Sequence, residues 1–559
     1  MALQVFKLAK VDGGLNTRVG EEALQFNETP FNQNWELTLG GGLQKARGFE
    51  EIVKLPFPIQ GLLPYRESGT CRTRMLAYAF SKIFEVDIPG KAFFDVPVTS
   101  ATSPLIQSDG DPSIIQFGSE AIILDGENIP THFNGTVLKS LPEWPPVYTT
   151  TNSTQLKDIH AQASNPAVAD IGNPKFGAVY QERAVLAGDS KNPRRLYFSQ
   201  AQNIQAWQDN AGVDVPIDIP FFLDLQGTTC DITALATTSD ALLIFTSNET
   251  FRMTGKNAPL PGAEDPFRIE IINSQVGCLN HHLVWQQDKS DVYFYSKHGL
   301  YNLKLSDNFG TVRPGGLSYP IQKDLDQIGT GGMMRAKMIN NPAEGVLYLA
   351  TPKLATHRYR DKLWKLNYAV NSQSNPWSVL ENFGIETRLD SLITIPPNND
   401  VYVANYDKIF KANSGPTYFL DGNDEPTEIQ AIYDFRPMDF NSPRNNKKIK
   451  DFHIKYKSDV DTTILISHAW SSGETGLTQI SLPMTLNEEF GTSAFDDEGG
   501  DLGAFTSSAS LSTNEVVVPV SGTLVGKSLK VRVIESGNTA TDLEIFEINI
   551  SFDVMGQGV

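Results

Sequence analysis

The stretch Ala241-Leu242-Leu243-Ile244-Phe245-Thr246, followed across a short polar turn by Thr250-Phe251-Arg252-Met253, decides the fold. A run of apolar and aromatic residues this short, closed by a turn and answered by a second run, reads as a hairpin of buried strands rather than a helix. The same unit recurs about once every 50 residues, at 75–80 with 83–86, 178–187 with 195–199, 291–295 with 299–303, 345–350 with 363–366 and 401–404 with 408–411. Repeats of that length built from strands alone predict the blades of a β-propeller. The mixture of clean alternation in some strands with all-apolar runs in others suits the inner and outer strands of a blade.

The chain has three textures. Residues 1–58 are glycine-rich, with Gly13-Gly14-Leu15-Asn16 and Gly40-Gly41-Gly42-Leu43, and predict an extended arm with turns at φ > 0. Residues 59–425 hold the repeats, interrupted at about 140–175, 201–228 and 254–270 by stretches longer than a hairpin requires. The best short helix candidate is 319–329. Residues 426–559 alternate strictly: Phe452, Ile454 and Tyr456; Leu529, Val531 and Val533; Phe546, Ile548, Ile550, Phe552 and Val554. That pattern predicts an antiparallel sandwich with one wet face per sheet, and 487–514, rich in Gly, Ser and Asp, reads as a long mobile loop. The expected fold is all-β: a β-propeller-like domain with inserted loops over 59–425, a C-terminal antiparallel β-sandwich over 426–559, and an N-terminal arm over 1–58 for which the C-terminal domain is a packing partner.

With 559 residues the chain is too long for one hydrophobic core unless repeats spread it. The net charge of −19 argues against affinity for nucleic acid through overall charge. Solubility is the plain explanation; a sharper one is a surface that DNA passes without sticking. The cysteines Cys71, Cys230 and Cys278 are odd in number and outside any CxxC pattern, so neither a disulfide framework nor a zinc site is implied. The opening MALQVFKLAKVDGG lacks the apolar core of a secretory signal, and no run approaches a membrane span. The expected compartment of assembly is a cytoplasm.

The sialidase-type turn is absent, since Ser306-Asp307-Asn308-Phe309-Gly310-Thr311 has its residues at the wrong offsets. Carboxylates for hydrolysis could still converge from distant blades. His281 and His282, as strand neighbours, would face opposite ways and could not share a metal. No GxSxG elbow, Walker A loop or HExxH helix occurs, so no catalytic, cofactor or metal residue is assigned. Two charged clusters are candidate interaction surfaces. Asp496, Asp497, Glu498 and Asp501 read as an acidic surface loop, with calcium binding as the sharper reading. Arg444, Lys447, Lys448 and Lys450 could meet an acidic partner or phosphates, or could guard a solvated sheet edge.

The segment Val179-Tyr180-Gln181-Glu182-Arg183-Ala184-Val185-Leu186-Ala187-Gly188, then Arg194-Arg195-Leu196-Tyr197-Phe198-Ser199 and Trp207, resembles the tail nozzle and tail hub proteins of short-tailed bacteriophages, also called tail tubular or packaged-DNA stabilisation proteins. Gly13-Gly14-Leu15-Asn16 with Gly42-Leu43-Gln44-Lys45-Ala46-Arg47-Gly48 is similar to that family's opening, and Leu242–Thr246 with Val276-Gly277-Cys278 and Val292–Ser296 to its central blades. Ala46 and Phe49 depart from the family's usual flanks. The resemblance implies a virion structural protein: a homohexameric ring beneath the portal and adaptor rings that extends the DNA channel, retains the packaged genome and passes it at ejection. It implies genomic double-stranded DNA as a cargo held without specific binding, tail spikes or fibres as further partners, no membrane insertion and no enzymatic activity. A propeller that binds glycan or protein at a cell surface, and a propeller glycosidase, are the other function classes.

Overall fold

The computed structural model describes residues 4–8, 11–70, 72–80, 82–99, 111–146, 171–208, 220–257, 264–286, 291–304, 311–313, 316–357, 359–370, 375–381, 388–414, 417–420, 426–473, 475–484, 513–520, 525–536 and 543–555. Among them seven four-stranded antiparallel sheets follow one another in chain order. The first blade runs Ile59–Arg66, Thr73–Ala79, Lys82–Asp87 and Ala92–Asp95; the second Ser113–Phe117, Glu120–Leu124, Thr131–Phe133 and Leu138–Ser140. The third runs Phe176–Tyr180, Arg183–Ala187, Arg195–Phe198 and Phe221–Asp224; the fourth Ile232–Thr237, Leu242–Thr246, Thr250–Thr254 and Arg268–Asn273. The fifth runs Val284–Gln286, Asp291–Ser296, Gly299–Lys304 and Thr311–Arg313; the sixth Lys337–Asn341, Val346–Thr351, Lys362–Asn367 and Trp377–Leu380. The seventh comprises Ser391–Ile395, Asp400–Asn405 and Lys408–Ala412, completed by Phe49–Lys54 from the start of the chain. Each blade's first strand neighbours the first strand of the next, and the seventh neighbours the first. The ring closes as a β-propeller of seven blades.

The physical basis is legible strand by strand. Ile232–Thr237 alternates buried and half-buried residues, whereas Leu242–Thr246 is buried throughout. A second strand has a partner on each side and a neighbouring blade on each face, so polar positions have nowhere to go. Apolar clusters fill the space between blades: Leu63, Tyr65 and Leu76 with Ile123 and Phe133 between the first two, and Ile59, Met75 and Phe84 with Ile393 and Tyr402 between the first and seventh.

Three sequence expectations change. The run 178–187 is two strands, because Gln181 (φ 46°) and Glu182 (φ 59°) make a tight turn with both central residues left-handed; such turns normally announce themselves with Asn or Gly. The second blade was not among the recurring units; its second and third strands are five and three residues long. Residues Phe49–Lys54, placed in the arm, are the closing strand of the seventh blade. The helix expected at 319–329 forms as a 3-10 turn Tyr319–Ile321 running into a helix Gln322–Met333.

By contacts the chain divides into two compact units: Glu51–Lys362 with Thr387–Ala412, and Met1–Glu50 with Leu363–Glu386 and Asn413–Val559. The second of these contains the sandwich. Its larger sheet has the order Asn514–Pro519, Asn446–Lys457, Glu544–Met555, Leu43–Lys45, Trp35–Leu37, with Gln4–Leu8 also on Glu544–Met555 and Val525–Gly526 on Asn446–Lys457. The other has the order Phe31–Gln33, Gln430–Asp434, Leu529–Ser536, Thr462–Trp470, Thr475–Leu482. N-terminal residues thus contribute strands to both sheets. Between them lies one core, including Trp35, Tyr433, Phe452, Ile454, Ile466 and Val531. The alternation expected from Phe546 is interrupted: the pairing shifts register between Lys455 and Tyr456, so Ile545 is buried and Phe546 is half-buried. A bulge of one residue exchanges the faces on either side of it.

The glycine at position 14 is required. Its φ is +72°, and a Cβ there would sit 2.6 Å from the backbone nitrogen of Trp377. Gly14→Ala is therefore expected to cost roughly 1–3 kcal/mol from backbone strain, with the clash in addition, read as a fall in the urea midpoint. An unchanged midpoint would contradict this packing.

Candidate functional site at the propeller axis

First strands surround the ring's centre, so the residues that lead into them gather at one end of it. Asp111 leads into the second blade, Lys175 the third, Asn280 the fifth, Arg335 the sixth and Asp390 the seventh. Loops between second and third strands add Asp125–Glu127, Ser190, and Tyr359 with Arg360. Together they line a cavity of about 530 Å³, within the range of small-molecule sites.

Asp111 is the hub of its charges. Arg360 Nη2 donates to Asp111 Oδ2 at 2.8 Å, Lys337 Nζ pairs with Oδ1, and His282 Nε2 lies 3.2 Å from Oδ2 off the line of a hydrogen bond. The Arg360 guanidinium also donates to the carbonyls of Arg335, Leu389 and Asp390, tying together the approaches to the second, sixth and seventh blades. Burial opposes ionisation of Asp111, but His282, Lys337 and Arg360 outweigh it and hold the carboxyl well below the usual range. Burial draws the Lys337 ammonium down, with Asp111 opposing.

His281 and His282 occupy a 3-10 turn, His281–Leu283, and not a strand. Their rings therefore meet, 3.9 Å between centroids, and His281 stacks on Phe176 at 5.1 Å. Among the described residues no group of three histidine, cysteine or acidic side chains could hold a metal ion. Burial pulls both imidazoles down, His282 to about 4 despite Asp111 beside it. In the unfolded chain a histidine protonates near pH 6.5. Between those values the unfolded state binds more protons, so acidification favours unfolding. Stability should fall by about 3 kcal/mol between pH 7 and pH 4 from His282. His281 acts in the same direction. Asp390, whose carboxyl is raised by burial, opposes, and the Asp111 contribution is lost only at lower pH. Urea unfolding of wild type and His282→Gln at pH 7 and 4.5 checks this: the variant's profile should be flatter, and parallel profiles would refute it.

At the mouth, the Arg388 guanidinium lies 4.0 Å over the Tyr359 ring and 5.2 Å from that of Tyr406, and both rings are about half exposed. Arg388 Nε also donates to both Asp390 oxygens at 2.9 Å, and Tyr406 N–H donates to Oδ2 at 2.8 Å. None of these residues stood out in the sequence: Arg388, Asp390 and Tyr406 are scattered along the seventh blade and Tyr359 lies in a loop of the sixth, and only Arg388 and Asp390 sit just before an inner strand.

The residues singled out from sequence lie elsewhere. Arg444 is exposed, and Lys450 pairs with Asp553 at 3.0 Å. Lys447 is wholly buried, its ammonium donating to the carbonyls of Ser442 and Lys527, so it cannot present charge to a partner. Lys448 is half-buried. Their strand is interior to the larger sheet, between Asn514–Pro519 and Glu544–Met555, which corrects the sheet-edge reading. Asp496, Asp497, Glu498 and Asp501, with nearly all of 487–514, lie outside the described residues, as does Cys71. Cys278 is buried and its thiol pushed up to about 12. Among the described residues no helix is long and apolar enough to cross a membrane.

The fold is thus a seven-bladed β-propeller with an antiparallel sandwich. No protein-family model matches the chain, and no curated protein does. Among solved structures it is similar to YCF48 from Cyanidioschyzon merolae (8% identity, 65% of this chain and 98% of that one, TM-score 0.34). It is similar also to the extracellular domain of the one-component system BT4673 from B. thetaiotaomicron (8% identity, 80% of this chain and 58% of that one, TM-score 0.39). A third is the β-propeller domain of Cps50 (Swd1) from Myceliophteria thermophila (14% identity, 53% and 81%, TM-score 0.31). Likeness at this level carries no functional information.

Proposed function

We propose that this chain is a structural and binding platform without covalent chemistry, and that it serves as the ring-forming subunit of a tail nozzle or hub that extends a portal channel, retains packaged DNA and passes it at ejection. One observation supports this most: the residues that carry the sequence resemblance are framework residues. Gly14 packs against the backbone of Trp377, and Lys45 is sealed against Glu535. Arg183 and Trp207 are fully buried in the third blade, Arg183 donating to Ser199 O at 2.7 Å. A resemblance of that kind concerns architecture, which is what a tubular role draws on.

Three of the cavity's four carboxylates, all but the exposed Glu127, are already engaged, which agrees with a non-hydrolytic role. Glycoside hydrolysis needs a carboxylic acid free to give up a proton. Both oxygens of Asp390 are engaged by Arg388 and Tyr406, Asp111 is matched by two cations, and Asp125 accepts from Tyr78, Asn128 and backbone amides. Electron microscopy of the purified chain mixed with portal and adaptor rings tests the proposal. Copies arrayed beneath the adaptor support it; an unattached chain that cleaves an oligosaccharide, with cleavage lost in Asp390→Asn, would overturn it.

A second reading, recognition of a cell-surface glycan or protein, is favoured by the cavity itself, where the exposed rings of Tyr359 and Tyr406 stand beside fixed charges.

A further inference from the structure

The charges around the axial cavity do not cancel by pairs. Asp111 is matched by Lys337 and Arg360, and Asp390 by Arg388. Lys175 and Arg335, both lining the cavity, have no ion pair among the described residues. The Arg335 Nη2 donates to Ala355 O at 2.7 Å, but its Nε is buried without a partner. Lysine and arginine in that state favour an anion that can accept their N–H groups. A bare anion would meet Glu127, which also lines the cavity, is exposed and has no ion pair among the described residues. Carboxylates have no proton to donate at neutral pH, so their natural counterparts are hydroxyl groups. An occupant that fits brings one anionic group with hydroxyl donors beside it. Tyr359, about half exposed at the mouth with Arg388 over one face of its ring, can turn its other face to the apolar side of a pyranose.

We propose that this cavity binds an acidic monosaccharide, a uronate or a sugar phosphate, with Lys175 and Arg335 taking the anion, Glu127 accepting hydroxyls and Tyr359 packing on the ring. The inference rests on the second reading above and is independent of the nozzle role, so its test uses the isolated full-length chain.

Calorimetric titration with glucuronate, glucose 6-phosphate, glucose and inorganic phosphate separates the possibilities. At least one acidic sugar should bind at least about tenfold more tightly than either glucose or inorganic phosphate, and which one wins distinguishes carboxylate from phosphate. Lys175→Gln with Arg335→Gln should weaken that binding by about tenfold or more while leaving the urea midpoint near wild type. If the double variant does not fold, Lys175→Gln and Tyr359→Ala singly should each weaken it. Equal binding of glucose, equal binding of phosphate alone, unchanged binding in the variants, or no binding at about 10 mM sugar would each overturn the inference. The nozzle reading would survive that result, since it is judged by assembly.

Discussion

Lys45→Ala is expected to destabilise the sandwich by about 3–5 kcal/mol, the usual consequence of leaving a buried charge without its partner. Lys45 Nζ and Glu535 Oε2 are 2.7 Å apart, and neither side chain has any solvent exposure. Lys45 ends the strand Leu43–Lys45, which pairs with Trp35–Leu37 and with the beginning of Glu544–Met555. Glu535 lies on the other sheet, near Thr462. The ion pair therefore bridges the sandwich and fixes the N-terminal strands in register. Its worth as a pair is a different quantity from the cost of breaking it: Lys45→Met with Glu535→Leu should return stability to within about 1 kcal/mol of wild type, or above it, because both desolvation penalties disappear together. Urea unfolding of the single and double variants decides. A single variant that costs less than about 1 kcal/mol would mean that water reaches Glu535.

The second large effect belongs to the axial cluster. Asp111→Ala removes the carboxylate that Lys337, Arg360 and His282 face, and Lys337 and Arg360 are almost wholly buried, their side chains 6% and 12% exposed. Two nearly buried cations would then face each other with no carboxylate between them, at a cost of about 3 kcal/mol or more. Adding Lys337→Met should recover much of that loss, since Arg360 keeps its carbonyl acceptors and the uncompensated ammonium is gone. A double variant no more stable than the single one would show that Arg360, and not Lys337, carries the penalty. The same experiment locates the coupling between blades, because Asp111, Arg360 and Asp390 come from three of them.

How much of this was legible follows from where each signal lives. Blade cores write themselves into local sequence: Leu242–Thr246 is apolar because both its faces are covered, and the pair Phe452 and Ile454 alternates because one face is wet. Register changes do not. The turn at Gln181 and Glu182 has left-handed residues with no glycine to mark them, and the bulge opposite Lys455 moves Phe546 outward without any change of composition. Closure of the ring by Phe49–Lys54 is a contact across most of the chain, which no local pattern encodes. The axial cavity was invisible for a related reason. Asp111, Lys175, Arg335 and Asp390 are single residues spaced by whole blades, and they form a site only once the ring has closed. The lysine cluster misled in the opposite way: four cations close in sequence looked like a surface, but alternation on an interior strand sends Lys447 inward.

Membership of a closed, symmetric assembly is the property on which the proposed role of this chain depends. The most direct test is the mass of the purified protein, alone and with adaptor rings, by light scattering. A ring of six, roughly 370 kDa from six copies of 61.6 kDa, is the expected species. A species of 61.6 kDa that stays single in the presence of the adaptor would contradict it.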